Sequence, residues 1–324
     1  MEQHHLLGQF FALAAAATWA LAMVLFKRSG ETVSPLALNL FKNFIGIALT
    51  AGTVGAMLLA PVLFPTDGTW LKLPEHPGDV CILLLSGIIG IAIADTIFFY
   101  ALNLIGVGLF TIVDCIYAPL VILFSWLLLV EQLAWCHYLG GGLILAGVFV
   151  STRHAPPPDR THRQILWGML LAGSAVAMVA FAIVLAKPVL EKCDAVSAAL
   201  LRLLAGTVIL ALLTVLLPEG RKLWGVFRPA RVWRQSVPAA VLGTYLSMIF
   251  WVAGFKYARA AVAAILNQTS VLFALLLATF ILRERLTVRK LLAVALAIPG
   301  VALITLADDI GPPLRAWVTR LWTG

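Results

Sequence analysis

The sequence predicts an all-α membrane protein with ten transmembrane helices, arranged as two inverted five-helix repeats. Three observations carry that prediction. The 324 residues are 62% hydrophobic and 12% charged, with a mean hydropathy of +1.00, far from the balance of a soluble domain. Apolar runs of about 20 residues, the length that crosses about 30 Å of hydrocarbon as a helix, recur along nearly the whole chain. The second half also repeats features of the first at near-constant offsets.

In order, the predicted spans are 6–26, 35–59, 80–103, 107–130 and 134–151, then 165–187, 195–217, 237–257, 260–282 and 288–306. All read as helices, because a helix satisfies its own backbone hydrogen bonds in lipid, whereas barrel strands would alternate in polarity and these runs do not. The first span reads as a retained helix and not a cleaved signal: Met1 to His5 carry no Lys or Arg, and Ala20-Leu21-Ala22 is followed by more apolar residues. The second span holds Lys42 and the third Asp95. Asp114 interrupts the fourth, in GLFTIVDCIYAPLVIL, where Pro119 follows it.

In the fifth span, GGGLILAGVFV contains Gly142 and Ala146, a small-x-x-x-small pair that lets helices approach, either within the chain or in a homodimer. A polar, proline-rich linker at 152–164 divides the halves. The predicted division is a first repeat over 1–151, the linker, a second repeat over 165–306 and a tail over 307–324. In the tail, Leu314, Trp317, Val318, Leu321 and Trp322 follow helical spacing beside Arg315 and Arg320, which predicts a short helix on the membrane surface. Trp70, Trp135, Trp167, Trp224 and Trp233 fall near span ends, as an interfacial belt requires.

The repeat rests on two offsets. Lys27 and Lys42 map onto Lys187 and Arg202 at an offset of 160. LLLVEQL (127–133) maps onto FILRERL (280–286) at an offset of 153, which also sets Gly147 on Gly300. The change of offset requires a small deletion in the second half, in the loop between its second and third spans. Five spans per copy is an odd number, so the copies enter the membrane in opposite directions, with a substrate site near the midplane between them. Arg202 then corresponds to Lys42 and Asn267 to Asp114, near the other face, while Met248 takes the place of Asp95.

A charge at the centre of a membrane helix costs about 2.5–3.5 kcal/mol on insertion scales, so each should face a partner or water. At about 1.5 Å per residue, Lys42 and Asp114 lie about 10 Å into their spans and Asp95 about 12 Å before the end of its own. Alternating direction sets all three at one depth, on the side opposite the termini. Two carboxylates and one cation in low dielectric do not all ionise readily, which suits proton coupling. Lys42, Asp95, Asp114, Arg202 and Asn267 are therefore candidates for substrate binding or proton coupling, with Trp19, Trp251 and Gln268 as candidate cavity lining. A zwitterion would use both signs; the plainer reading is that Lys42 and one aspartate form a buried pair that fixes packing. Glu131 and Glu284, closing the fourth and ninth spans, read as caps or ion-pair partners.

The net charge of +8 is spread over short loops and not gathered on one face, which argues against nucleic acid as a partner. Roughly twice as many Lys and Arg fall in loops opposite the termini as on their side, which sets both termini outside under the positive-inside rule. Cys81, Cys115, Cys136 and Cys193 stand far apart without metal-ligand or redox spacing, so no cofactor is predicted. H-E-x-x-H, G-x-S-x-G and P-loop motifs are absent from the sequence, so neither an enzyme nor a self-contained ATP-driven pump is predicted.

Several of these features, in this order and twice over, resemble the drug/metabolite transporter superfamily, specifically its ten-helix permeases with two EamA-type repeats. They are Trp19 with Lys27 closing the first span, the basic Lys42 and Arg202, FFYALNLIG at 98–106, Pro119, the pair Glu131 and Glu284, and the pair Gly147 and Gly300. Ala20 departs from the glycine often found after the tryptophan, and Leu272 stands where a partner for Pro119 is expected. The resemblance implies a carrier of small metabolites, often an exporter, in a bacterial plasma (inner) membrane, with both termini in the cytoplasm, against the charge count. The chain is thus predicted to be a secondary active transporter, an exporter of amino-acid-like or related compounds, coupled to protons or exchange and working by alternating access. Its partners are the small-molecule substrate and the lipid bilayer. The alternative on the same inverted repeat is a lipid flippase or an ion pore.

Overall fold

The structure, a computed structural model, describes residues 2–29, 33–63, 71–151, 161–216, 220–228, 232–273, 277 and 288–307. Trp70, Glu284, most of the linker and the predicted surface helix of the tail lie outside the described residues. Among the described residues, seven helical stretches are long and apolar enough to cross a bilayer, and three shorter apolar helices accompany them, at Trp135–Val150, Ala260–Phe273 and Leu291–Thr305.

The first half comprises α1 (Glu2–Ser29), α2 (Pro35–Leu63), α3 (Pro77–Gly87), a π-helical stretch (Ile88–Ala94), α4 (Asp95–Asp114), α5 (Tyr117–Leu129) and α6 (Trp135–Ser151). The second comprises α7 (His162–Leu190), α8 (Ala195–Leu216), α9 (Gly220–Leu223) with a 3-10 turn (Trp224–Phe227), α10 (Trp233–Ala240), a second π-helical stretch (Val241–Leu246), α11 (Ser247–Tyr257), α12 (Ala260–Asn267) and α13 (Val288–Thr305). α7 begins inside the predicted linker, because Thr161 and Gln164 form a reciprocal capping box: the Thr161 hydroxyl accepts from the Gln164 N–H at 3.3 Å, and the Gln164 side chain accepts from the Thr161 N–H at 3.0 Å.

The predicted loop between the third and fourth spans is not an interruption of helical hydrogen bonding, since α4 runs through it. The chain nevertheless turns back there. Gly90 faces Ala182 and Gly168 faces Ile105, so residues 90 to 105 run antiparallel to α7. Gly173 faces Val113 and Ile116, and Phe124 packs edge-on to Phe181 at 5.6 Å, so the chain beyond 113 runs parallel to α7. The Phe98 and Phe110 rings are 4.5 Å apart, where a straight helix would separate the two residues by about 18 Å.

The fourth span, predicted to be continuous, is broken at Cys115–Ile116. The Cys115 and Ile116 N–H groups bond back only three residues, to Ile112 and Val113 at 3.3 and 3.0 Å. Pro119 explains this, having no N–H for the Cys115 carbonyl and a ring that crowds it. The ninth span breaks at the matching place, between Asn267 and Thr269, where the Gln268 N–H bonds to Ile265 at 3.2 Å.

The inverted repeat is written into the packing. The pair Gly8 and Ala258 corresponds to Gly168 and Ile105, the pair Gly243 and Ala22 to Gly90 and Ala182, and the pair Gly46 and Thr244 to Gly206 and Ile91. Each correspondence uses an offset of 160 on the first or second span and 153 on the third. The deletion therefore falls between Gly206 and Gly243. The π-helical stretches begin at 88 and 241, again 153 apart. Along the α6–α13 seam, Gly140 meets Gly300 and Gly147 meets Ala293, a pairing that maps onto itself when the halves are exchanged.

Two local expectations change. Gly142 and Ala146 do not close a helix contact within the chain: both are exposed, and a Cβ on Gly142 would meet nothing within 4 Å. The seam uses Gly140 and Gly147, two helical turns apart on the opposite face. Of the tryptophan belt, Trp135 and Trp167 are exposed at helix starts, but Trp224 and Trp233 join an aromatic cluster on α2. Phe41 lies 5.2 Å from Trp233, and Phe44 lies 5.8 Å from Trp224 and 5.1 Å from Phe227.

Candidate functional site

Lys42 is buried in α2, and its ammonium donates to Asn43 Oδ1 at 3.1 Å and lies 3.5 Å from Asp95 Oδ2. Asp95 stands at the join between the first π-helical stretch and α4. Lys42 and Asp95, at matched depth, therefore meet as an ion pair. Asp114 does not join them: among the described residues its carboxylate has no ion-pair partner. Depth fixes position along the membrane normal and not direction around the helix axis. α2 packs on α8, α10 and the second π-helical stretch, whereas Asp114 closes α4 beside α7, and α5 crosses α12.

The second copy is built differently. Arg202 on α8 is 1% exposed and heads the fully buried large side chains. α8 comes this close to α3 because Gly87 and Gly206 lie between them; a Cβ on Gly87 would strike the Arg202 backbone, and one on Gly206 would come 2.8 Å from the Gly87 carbonyl. The guanidinium donates through Nη1 to Ser86 Oγ at 2.6 Å, and Ser86 donates onward to the Ala182 carbonyl at 2.7 Å. It also lies over the Trp251 ring at 5.3 Å, an attraction of about 1–2 kcal/mol where water is excluded.

Among the described residues no carboxylate pairs with Arg202, and its Nε–H has no acceptor. Met248 holds the place that Asp95 occupies in the first copy. A buried guanidinium without a counter-ion is among the most expensive arrangements a protein core can carry.

The helix breaks bring the remaining residues together. Gln268 reaches from the ninth span to donate to the Asp114 backbone carbonyl at 2.9 Å, so each broken helix lends a polar group to the other. Tyr117, at the start of α5, lies within electrostatic reach of Asp114 and Arg202. Its hydroxyl faces the Trp251 indole N–H, while Asn267 Nδ2 is buried without a hydrogen-bond acceptor among the described residues. Trp19 is half-buried against Gly243 in the second π-helical stretch, 3.5 Å from where a Cβ would sit.

Ser86 and Tyr117 were not singled out from sequence. Ser86 carried a faint signal, as the hydroxyl residue of an otherwise apolar LLLSGII; Tyr117, three residues after Asp114, looked like one more aromatic in a lipid-facing run. Among the described residues no group of His, Cys, Asp and Glu is placed to hold a metal ion. The arrangement is a cation and a carboxylate, each without a charged partner among the described residues, accompanied by the Trp251 and Tyr117 rings and the polar Asn267 and Gln268 side chains.

Residues 6–153 and 166–306 each match the EamA-like transporter family. A solved structure described only as the crystal structure of a protein is 20% identical, with 93% of this chain and 96% of that chain aligned and a TM-score of 0.73. At that identity the likeness concerns the fold alone. No curated protein matches the chain.

Proposed function

We propose, from the premise that the chain belongs to the EamA-like transporter family and is a multi-pass membrane transporter of small molecules, that it is a secondary carrier for amphoteric, amino-acid-like compounds. It exports them by alternating access across a bacterial inner membrane. The observation that carries the substrate class is Arg202, buried and uncompensated where its repeat mate Lys42 has Asp95. A substrate carboxylate supplies the missing counter-ion and accepts from the idle Nε–H, a charge-assisted bond that gains strength where water is excluded. Asp114 takes the substrate ammonium or, in its absence, a proton; this is the coupling step. Lys42 and Asp95 neutralise each other and hold α2 against the start of α4. Trp251, Trp19 and Tyr117 face the body of the substrate, with Asn267 and Gln268 as hydrogen-bonding lining. Alternating access is supported by the α6–α13 seam, which is unchanged when the two halves exchange roles. Loop charges favour termini on the outer face.

The test is flux of labelled glycine, L-leucine, L-phenylalanine and L-glutamate in proteoliposomes, with and without a pH gradient. Arg202→Gln is expected to lose most transport at matched folded yield. Asp114→Asn is expected to retain exchange while losing the response to pH. Wild-type flux in Arg202→Gln rules out the substrate class, and an unchanged pH response in Asp114→Asn rules out the coupling role.

A further inference from the structure

A second constellation of charges stands away from the centre, at the face where α7 ends and α12 begins. α5 closes at Leu129, Val130 takes a left-handed backbone conformation at φ 54°, and Glu131 turns back across the bundle. Its carboxylate accepts from the Ala260 and Ala261 N–H groups at 3.0 and 3.3 Å. Between it and the end of α7 lies a cavity of about 230 Å³, lined by Leu129, Glu131, Lys187, Pro188 and Glu191.

Lys187 is 5% exposed, and its ammonium has one partner among the described residues, Glu191, four positions on, whose side chain is 56% exposed. An ammonium has three donors and a carboxylate has about four acceptor sites. Lys187 therefore keeps donors uncommitted at the cavity wall, and Glu131 and Glu191 keep acceptors.

The repeat supplies an independent observation. The offset of 160 sets Lys187 on Lys27 and Glu191 on Glu31, and the offset of 153 sets Glu131 on Glu284. All three charges are retained in both copies. At the centre only the basic position is kept, as Lys42 and Arg202, while Asp95 corresponds to Met248 and Asp114 to Asn267. A carrier has one central site, so its two copies are free to diverge there. It has two mouths, and both must accept and release the same molecule.

We infer that the cavity is a docking site for the amphoteric substrate on its way in or out, with the substrate carboxylate on Lys187 and its ammonium on Glu191 and Glu131. By the same offsets, Lys27, Glu31 and Glu284 are the sequence counterparts of this set for the other face. The inference rests on the substrate class proposed above. A helix cap and an i,i+4 ion pair by themselves call for neither a cavity between them nor retention of all three charges in both copies.

Directional kinetics test it, in vesicles of each orientation at equal pH on both sides, using the fastest of the four amino-acid probes. With no driving force, the ratio of maximal flux to KM must be equal in the two directions, so any variant lowers it equally for both. How the loss divides is the readout. In Lys187→Gln a loss of about tenfold should appear as a raised KM for entry from the α7-end face and as a lowered maximal flux for release to it. Lys187→Arg should restore most of the loss, and Lys27→Gln should show the division reversed. Glu191→Gln, on an exposed side chain, carries the same expectation if Lys187→Gln folds poorly.

A loss that divides alike in both directions, or no loss, overturns the docking site. Arg202→Gln separates the two readings. If it abolishes flux while Lys187→Gln and Glu191→Gln are silent, only the docking site falls. If it leaves flux intact, or if the wild type moves none of the probes, both fall.

Discussion

Returning the missing carboxylate to the second copy, by Met248→Asp, tests the central site most directly. In the first copy Asp95 stands 3.5 Å from the Lys42 ammonium. A carboxylate at that distance from Arg202 attracts the guanidinium by about 5 kcal/mol at an effective dielectric of about 20. Its own desolvation offsets several kcal/mol of this, so the folded state should be little changed. Binding should suffer, because the new carboxylate occupies the donors that a substrate carboxylate would use. A hydrogen bond to a charged group contributes about 1.5–3 kcal/mol, which converts to a roughly 10- to 150-fold weaker interaction. The assay is KM for the fastest amino-acid probe in proteoliposomes, beside thermal unfolding in detergent, with Met248→Leu as the volume-conserving control. Met248→Asp with wild-type KM and wild-type stability would refute the claim that Arg202 waits for an anion.

Three further outcomes follow from packing, capping and burial. Gly140→Leu should cost about 1–3 kcal/mol of stability by overpacking, since a Cβ there already comes 2.7 Å from the Gly300 carbonyl. Gly142→Leu should cost no more than about 0.5 kcal/mol, and equal melting shifts for the two would contradict the seam. Glu131→Ala removes the cap of α12 and should lower stability by about 0.5–2 kcal/mol, read by the same melting assay, with Glu131→Gln intermediate. Cys193 lies between α7 and α8, fully buried, and burial raises its thiol pKa despite the nearby Lys256 ammonium. N-ethylmaleimide in micelles at neutral pH should therefore modify the exposed Cys81 first and leave Cys193 until the chain unfolds.

Properties that run along the chain were readable from it. The spans follow from helix length against bilayer thickness, and the two offsets found from Lys27, Lys187, Glu131 and Glu284 recur in contacts as particular as Gly243 on Ala22 and Gly90 on Ala182. Properties that run around a helix were not. Matched depth brings Lys42 to Asp95 and fails for Asp114, whose backbone carbonyl meets Gln268 on a helix that packs elsewhere in the bundle. The small-residue pair that GGGLILAGVFV suggests has a spacing of four, while the seam uses a spacing of seven, Gly140 to Gly147. Both choices were open on the sequence, because every face of a helix this apolar looks fit for burial. Pro119 announced one helix break; the matching break at Gln268 has no proline and no comparable signal.

The contrast between what the repeat kept and what it let go bears on the substrate. If transport proceeds by exchanging the roles of the halves, as proposed, the two states must lie close in free energy, which demands equivalent packing in both copies. The paired π-helical stretches, the Gly90 and Gly243 contacts and the self-matching seam meet that demand. In the proposed mechanism the binding residues are under no such constraint, because a substrate held between the halves would occupy one site made from both. A molecule with two like ends would be served by two like half-sites. Here one half contributes Asp114 and a self-neutralised Lys42–Asp95 pair, and the other contributes Arg202 with Asn267 in place of the acid. The fold has stayed two-fold in its packing and become unequal in charge at its centre, and that inequality is the ground for proposing a substrate with a negative group for one half and a positive group for the other.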